Sequence, residues 1–419
     1  MLWHRNGVKM LKTKPLPHQQ KTVDLLLEKK CIGDFSTMGT GKSLSALASI
    51  VATKEKAVIV CPPFLVENWL NEIKKHTTLK GSPHFLKYSS DSDIFIVPYT
   101  QLDKSEDIFR NVRFIVADES QYLKNLEAKR TQKFHSLFYK HTPLYFMALS
   151  GTPLKNRIPE VYSMLLLWDK FGVKPAITEK YKSFYTFCCR FTNVVQGKYG
   201  MSYGGMKNVE ELRTYIKPNS IKHEASVLDL PELNESSVIV SYKDSPELHK
   251  AFSEFSESKF SAEITVKVSS AASKAIFTAN YVSEAVDSGE GPIVVFSDHR
   301  KPIEIMELEL SKLRVRSITG EVPVDKRQSI VDMFNNGQLD VLLCTFGAAS
   351  TGINLTSSNL MLINDLPWEV ASLEQAKKRS HRLGQKRACR IVHVIGSSVD
   401  DLILKTLNAK IKVISEVMK

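Results

Sequence analysis

Ten residues, DFSTMGTGKS (34–43), combine two glycines, a lysine and a hydroxyl in the spacing of a phosphate-binding loop. The pattern G-x-x-x-x-G-K-[ST] fits residues 36–43 except that Ser36 stands in place of the first glycine. Gly39 and Gly41 let the backbone curl so that its N–H groups point inward at phosphates. Lys42 reaches the β- and γ-phosphates in such a loop, and the Ser43 hydroxyl binds Mg²⁺. The run SALASIVA (45–52) reads as a helix whose positive end sits at the same point. Further on, FIVADES (114–120) reads as a buried strand ending in two acids. Asp118 is placed to hold Mg²⁺ directly or through water, and Glu119 to orient or deprotonate an attacking water. A phosphate loop followed by an acidic strand end, in that order, is the arrangement of a nucleoside triphosphatase.

A third stretch, SLEQAKKRSHRLGQKRACR (372–390), contains seven Lys or Arg. Such a run is a solvated helix face, or it faces phosphates of a nucleic acid or a nucleotide. Phosphoryl transfer needs charge compensation at the γ-phosphate, and an arginine from another lobe raises rates by roughly 10³–10⁵. Arg379 and Arg382 are three apart and share one helical face. They are the candidates, with the remaining cations left in solvent or near phosphates.

The elements that must position these residues show a regular rhythm. AVIVCPP (57–63), DIFIVPY (93–99), RFIVADES (113–120) and LYFMALSGTP (144–153) read as buried parallel strands with helical patterns between them. The same rhythm returns in PIVVFSD (292–298), VRSITG (315–320), DVLLCTF (340–346), LMLIND (360–365) and RIVHVIG (390–396). Two α/β units are expected, each a parallel sheet flanked by helices. Residues 161–235 are aromatic, basic and Gly-rich in part, and read as an insertion and linker rather than sheet. The division expected is 1–160, 161–235 and 236–419.

A chain of 419 residues with 43% hydrophobic content supports two sizeable cores. The net charge of +12 favours an acidic partner, most commonly nucleic acid. No apolar run reaches the roughly 18–20 residues of a membrane span, so no membrane is expected. The six cysteines show no CxxC pair and read as reduced thiols, which points to a reducing, intracellular compartment.

Taken together, the motifs resemble the Swi/Snf-type DNA translocases of helicase superfamily two along nearly the whole chain. PLPHQ (15–19) is similar to the adenine-reading Q motif, and DFSTMGTGKS to the family's DEMGLGKT. VIVCPPFLVENW matches motif Ia and DIFIVPYTQL motif Ib. DESQYLKN stands where the family has DEAHxxKN, and LSGTPLKN (149–156) resembles motif III. TFGAASTGINL (345–355) resembles motif V, and QAKKRSHRLGQ (375–385) matches the QAxxRxHRxGQ of motif VI.

The resemblance implies two tandem RecA-like lobes using ATP and Mg²⁺. It places His18, Gln19, Thr37, Met38, Gly39, Thr40, Gly41, Lys42, Ser43, Gly352, Asn354, Arg379 and Arg382 around the nucleotide. Gln375 joins Lys42, Asp118, Glu119 and the two arginines in catalysis, and Ser43, Asp118 and Glu119 hold the metal. Pro62, Asn68, Trp69, Ser150, Gly151, Thr152, Asn156, Gly320 and Trp368 are expected at the DNA groove or in coupling to it. His381 is expected as a structural hydrogen bonder, and the aromatic 181–203 segment either touches the duplex or folds as a protrusion.

The implied partner is double-stranded or branched DNA, bound without sequence preference by a monomer, with a replication, repair or transcription protein as a further partner. Ala348-Ala349 and the short insertion point to the annealing-helicase or fork-remodelling branch. The chain leaves no room for accessory modules, so a minimal motor of phage or bacterial kind is expected, cytoplasmic, or nuclear in a eukaryote. Three departures stand out: Ser120-Gln121 for Ala-His, Lys222-His223 for a basic pair, and PWEV (367–370) for WNP. The rivals are a strand-separating or RNA-directed helicase, a transcription-complex recycling ATPase, and a degenerate motor used as a clamp.

Overall fold

The computed structural model describes residues 10–83, 91–154, 157–197, 200–228, 230–240, 260–349, 353–382, 384–396 and 398–418. They form two compact units, one of residues 1–228 with 412–419 and the other of residues 229–411. Residues 161–228 thus belong to the first unit rather than standing between two, and 412–419 return to it.

The first unit is built on seven parallel strands: β1 (Cys31–Asp34), β2 (Ala57–Cys61), β3 (Gly81–Pro83), β4 (Ile94–Pro98), β5 (Phe114–Ala117), β6 (Tyr145–Leu149) and, after a separate hairpin, β9 (Ser220–Ile221). Their order is β3-β4-β2-β5-β6-β1-β9. The two faces are sorted residue by residue. Val58, Val60, Phe95, Val97, Ile115 and Ala117 enter one apolar cluster. Their neighbours Ala57, Ile59, Ile94, Ile96, Phe114 and Val116 enter the other. Alternate side chains of a strand point to opposite faces, and both faces are covered, so both sets must be apolar. This is why these strands read as unbroken hydrophobic runs.

The helix Lys42–Thr53 is buried along most of its length through Leu44, Ser45, Ala46, Leu47, Ala48, Ser49, Ile50 and Val51. Small residues allow it to lie close against the sheet. The helix Val66–His76 instead buries one stripe, Val66, Trp69, Ile73 and His76, and carries charge on the other side.

Two strands lie where the sequence suggested only an insertion. β7 (Asn193–Gly197) and β8 (Gly200–Gly204) form an antiparallel hairpin, in register Val194↔Tyr203 and Val195↔Ser202. It is tied to the core through the Tyr203 ring, 5.6 Å from that of Phe184.

The second unit holds β10 (Leu233–Ile239), β11 (Ile293–Ser297), β12 (Val315–Ile318), β13 (Val341–Thr345), β14 (Leu360–Ile363) and β15 (Cys389–Ile395). Their order is β10-β15-β14-β11-β13-β12, again all parallel. The long helix Phe260–Asp287 covers part of this sheet with Ala275, Ala279, Val282 and Ala285. No helix among the described residues is long and apolar enough to cross a membrane.

Candidate active site

In an open parallel sheet the loops after the strands' carboxyl ends gather the site. The first unit follows this rule through the loops after β1, β2, β5 and β6. β1 runs into the phosphate loop, where Gly39 and Gly41 take φ +89° and +83°. Those values favour glycine and bend the chain back on itself. Gly41 is also the N-cap of the helix Lys42–Thr53 and has no side chain with which to satisfy the first amides. The helix therefore opens toward the loop with donors and a positive dipole end.

Lys42 folds over the loop. Its Nζ donates to the carbonyls of Ser36 and Thr37 at 2.7 and 3.3 Å. Burial lowers its pKa, against the opposing pull of Asp34, Glu119 and Asp118. Three carboxylates thus favour the charged form of this ammonium. Asp34 is buried, and its Oδ1 accepts the Ser36 amide at 3.0 Å.

The Q-motif residues press on the loop from the other side. Gln19 Nε2 donates to the Thr40 carbonyl at 3.0 Å, and His18 Nε2 lies 2.8 Å from the same oxygen. A Cβ added at Gly41 would fall 2.1 Å from Gln19 Nε2. The absence of a side chain at Gly41 is what lets Gln19 approach.

Asp118 and Glu119 follow β5. Asp118 Oδ2 accepts from the indole N–H of Trp69 at 2.8 Å, and Oδ1 from the Glu119 amide at 2.9 Å. Burial and then the neighbouring Glu119 charge raise the Asp118 pKa to about 7, opposed by the Trp69 and Glu119 hydrogen bonds and by Lys42. Tyr99 Oη donates to the Asp118 carbonyl at 3.0 Å. Glu119 sits at φ +49°, a left-handed conformation that is costly for a non-glycine residue.

Trp69 needs a correction. Expected at the DNA groove or in coupling to it, it is 1% exposed, which takes it out of the groove, and it holds the Asp118 carboxylate. Of the companions named with it, Pro62 is buried and Asn68 exposed.

From Glu119 a polar chain runs to the loop after β6. Gln121 Nε2 donates to Glu119 Oε2 at 2.5 Å, Ser150 Oγ donates to Gln121 Oε1 at 2.7 Å, and the Thr152 amide donates to Ser150 Oγ at 3.0 Å. Gln121, an apparent departure from the family motif, is the middle of this relay. Its amide can donate one way and accept the other. Gly151 lies against the phosphate loop: a Cβ there would be 2.5 Å from Met38 Cγ.

In the second unit, Arg379 lies near the end of the helix Val370–Ser380 and Arg382 just beyond it. The Arg379 carbonyl accepts the Leu355 amide at 3.0 Å, joining motif VI to motif V. Gln385 staples the turn: its Nε2 donates to the Ser358 carbonyl at 2.8 Å, and its Oε1 accepts the Lys386 and Arg387 amides, both at 2.9 Å. His381 Nε2 donates to the Pro231 carbonyl at 2.8 Å, the structural role expected of it.

Lys377 is not simple surface charge. It pairs with Glu235 at 2.8 Å and Glu374 at 3.2 Å. Arg387 donates to the backbone carbonyls of Ser357 and Gly291. Much of the basic run therefore faces the protein's own oxygens.

Trp368 is half-buried, with the Lys267 ammonium 5.4 Å from its ring centre. Gln375 is half-buried, Asn354 and Gly320 are exposed, and Asn156 and Gly352 lie outside the described residues.

The donor set fits Mg²⁺ and a nucleotide phosphate: a hydroxyl at Ser43, a carboxylate pair after β5, and a lysine between them and the loop. Among the described residues no group of three or more His, Cys, Asp or Glu side chains forms a metal site of its own. A metal held by one or two carboxylates and the substrate's phosphates needs no such cluster.

Comparison with known proteins agrees with these motifs. Residues 18–284 match the SNF2-related domain, and residues 278–384 match the helicase conserved C-terminal domain. The chain is 26% identical to the SWI/SNF-related matrix-associated actin-dependent regulator of chromatin subfamily A-like protein 1 homolog of Caenorhabditis elegans, over 96% of this chain and 61% of the relative. It is 23% identical to the DNA annealing helicase and endonuclease ZRANB3 of Mus musculus, over 96% of this chain and 40% of the relative. Among solved structures, the Sulfolobus solfataricus SWI2/SNF2 ATPase core in complex with dsDNA is 22% identical, covering 97% of this chain and 94% of that one at a TM-score of 0.47. The chain spans between two fifths and about three fifths of the length of these two curated relatives. With the SNF2-related domain spanning well over half of its residues and a parallel sheet in each unit, the chain belongs to the SNF2-related family.

Proposed function

We propose that this chain is an ATP-driven motor that grips and moves along double-stranded DNA. The observation that carries the reading is the convergence of Lys42, Asp118 and Glu119 on one phosphate loop, each positioned by its own set of hydrogen bonds. In this reading the loop amides, Lys42 and Ser43 hold the triphosphate. Ser43 and Asp118 would hold Mg²⁺, which would supply charge neutralisation to the triphosphate. Glu119, fixed by Gln121, orients the attacking water. The family resemblance assigns Arg379 and Arg382 to catalysis, so Arg382→Ala should depress turnover while sparing nucleotide binding.

The net charge of +12 supports a polyanionic track. Contacts to phosphates carry no sequence information, so binding should be nonspecific and weaken steeply with salt. Strand annealing or fork remodelling is the finer reading, suggested by the likeness to a DNA annealing helicase.

The test is steady-state ATP hydrolysis with no nucleic acid, linear duplex, forked DNA, single strand and single-stranded RNA, with Lys42→Ala as control. Strong stimulation by duplex or fork, abolished in the variant, is expected. Stimulation by single strands or RNA alone would overturn the duplex-tracking motor. Turnover surviving in Lys42→Ala would overturn the nucleotide site.

A further inference from the structure

Ser36 and Thr37 are held from two sides. On one side Lys42 Nζ donates to both of their carbonyls. On the other lies the segment 220–224, which precedes the start of the second unit at residue 229. β9 pairs with β1 as Gly33↔Ser220 and Asp34↔Ile221. The ladder continues past the end of both strands. The Phe35 amide donates to the Ile221 carbonyl at 2.8 Å, and the Thr37 amide to the His223 carbonyl at 2.9 Å. The His223 amide donates to Ser36 Oγ at 3.0 Å, and Thr37 Oγ1 to the Glu224 carboxylate at 3.3 Å. The His223 ring is 5.3 Å from that of His18, centre to centre.

The bond between Ser36 and Thr37 is one planar unit. Its carbonyl accepts from Lys42, and its N–H donates to His223. The carbonyl and the N–H cannot turn independently. When Lys42 leaves Ser36 for a phosphate, that plane loses the charged donor that fixes it, and any rotation is passed to residue 223. Ser36 occupies the first position of the loop pattern, where a glycine would offer no hydroxyl to the His223 amide.

We propose that the Ser36–Thr37 peptide couples nucleotide loading to the segment leading into the second unit, with Ser36 as a positioning residue that keeps the two in register. The inference rests on the reading of residues 36–43 as the nucleotide site.

The test is hydrogen exchange of the whole chain, free and saturated with Mg²⁺ and a slowly hydrolysed ATP analogue. In the native protein, exchange should slow in peptides spanning 36–43 and quicken in those spanning 220–228, by roughly 2- to 10-fold, the weight of one hydrogen bond in a local opening. In Ser36→Ala the loop should still be protected while the 220–228 response falls below about twofold, and Ser36→Thr, which keeps the hydroxyl, should restore it. Loop protection with unchanged or slowed exchange at 220–228 would overturn the coupling. An undiminished 220–228 response in Ser36→Ala would overturn the role of Ser36. A loop that the analogue does not protect would overturn the nucleotide site itself, and the coupling with it.

Discussion

The indole N–H of Trp69 donates to the Asp118 carboxylate at 2.8 Å, joining the helix Val66–His76 to the acid just after β5. Trp69 thereby fills core space and fixes the orientation of a candidate metal ligand. Trp69→Phe keeps the ring and deletes the donor. A hydrogen bond to a charged group contributes about 1.5–3 kcal/mol. The variant should fold, with kcat/KM for Mg-ATP lowered roughly 10- to 100-fold. A kcat/KM within twofold of the native value would show that Asp118 needs no such support.

Asp118 also sets a pH dependence of stability. Its folded pKa is pushed up to about 7, against roughly 4 for a free aspartate. A carboxyl with a raised folded pKa binds its proton more tightly when folded. Its charge therefore destabilises the native state progressively as pH rises from about 4 to 7, and the effect levels off above. The shift corresponds to at most about 4 kcal/mol, and relaxation of a partly open site reduces this to the order of 2 kcal/mol. Asp118→Asn carries no charge. The variant's melting temperature should exceed that of the nucleotide-free native protein at pH 8, with the gap closing toward pH 5. A gap that is flat across this range would contradict the burial of the charge.

The Glu119–Gln121–Ser150 relay predicts a selective defect. Gln121→Ala leaves a partly buried carboxylate and a buried hydroxyl without their shared partner. Turnover at saturating ATP should fall roughly 10-fold or more, while KM for ATP changes little, because the relay touches the attacking water's acid rather than the phosphate loop. Gln121→His, the residue of the resembling motif, should recover part of the loss. Steady-state kinetics with duplex DNA measures both, and an unchanged kcat in Gln121→Ala would sink the relay.

In the second unit, Lys274 is fully buried and donates to Asp400 Oδ1 at 2.7 Å and to the Val394 carbonyl at 2.9 Å. Removing one partner strands the other charge in the interior. Lys274→Met should cost about 3–5 kcal/mol, whereas Lys274→Met with Asp400→Leu should lie much closer to the native stability. Denaturant unfolding of the four combinations gives the coupling. Additive effects would mean that the two charges do not depend on each other.

What was legible in the sequence follows from how local each feature is. The strands β2, β4, β5, β6, β11, β13 and β14 announce themselves because both faces of a covered parallel sheet must be apolar. β1 does not. It is four residues, CIGD, that include a glycine and a charged end, and its burial comes wholly from neighbours. β3 and β9 are three and two residues long and exist as strands only because an adjacent strand offers hydrogen bonds. The β7–β8 hairpin was hidden by its glycines and lack of period.

The phosphate loop, the acidic pair and the motif VI arginines are contiguous, so their spacing speaks for itself. The Trp69–Asp118 bond and the contact of residue 223 with residue 36 join positions far apart in the chain, and such contacts leave no local periodicity to read. Gln121 shows a second limit. The sequence marks it only as a departure from the family motif, while its two amide atoms bridge Glu119 and Ser150.

One feature of the first unit bears on how the protein is made. Val417 is 1% exposed within the same apolar cluster as Phe146 and Trp168. Arg213 reaches the same stretch through the Glu416 carbonyl. A ribosome that has completed β9 has produced all of the sheet of the first unit but not the side chains of 412–419 that pack against its interior. Residues 229–411 must emerge before that gap can be filled. During synthesis the first unit therefore waits, its core short of Val417 and the flanking Val413 and Ile414, while the entire second unit is translated.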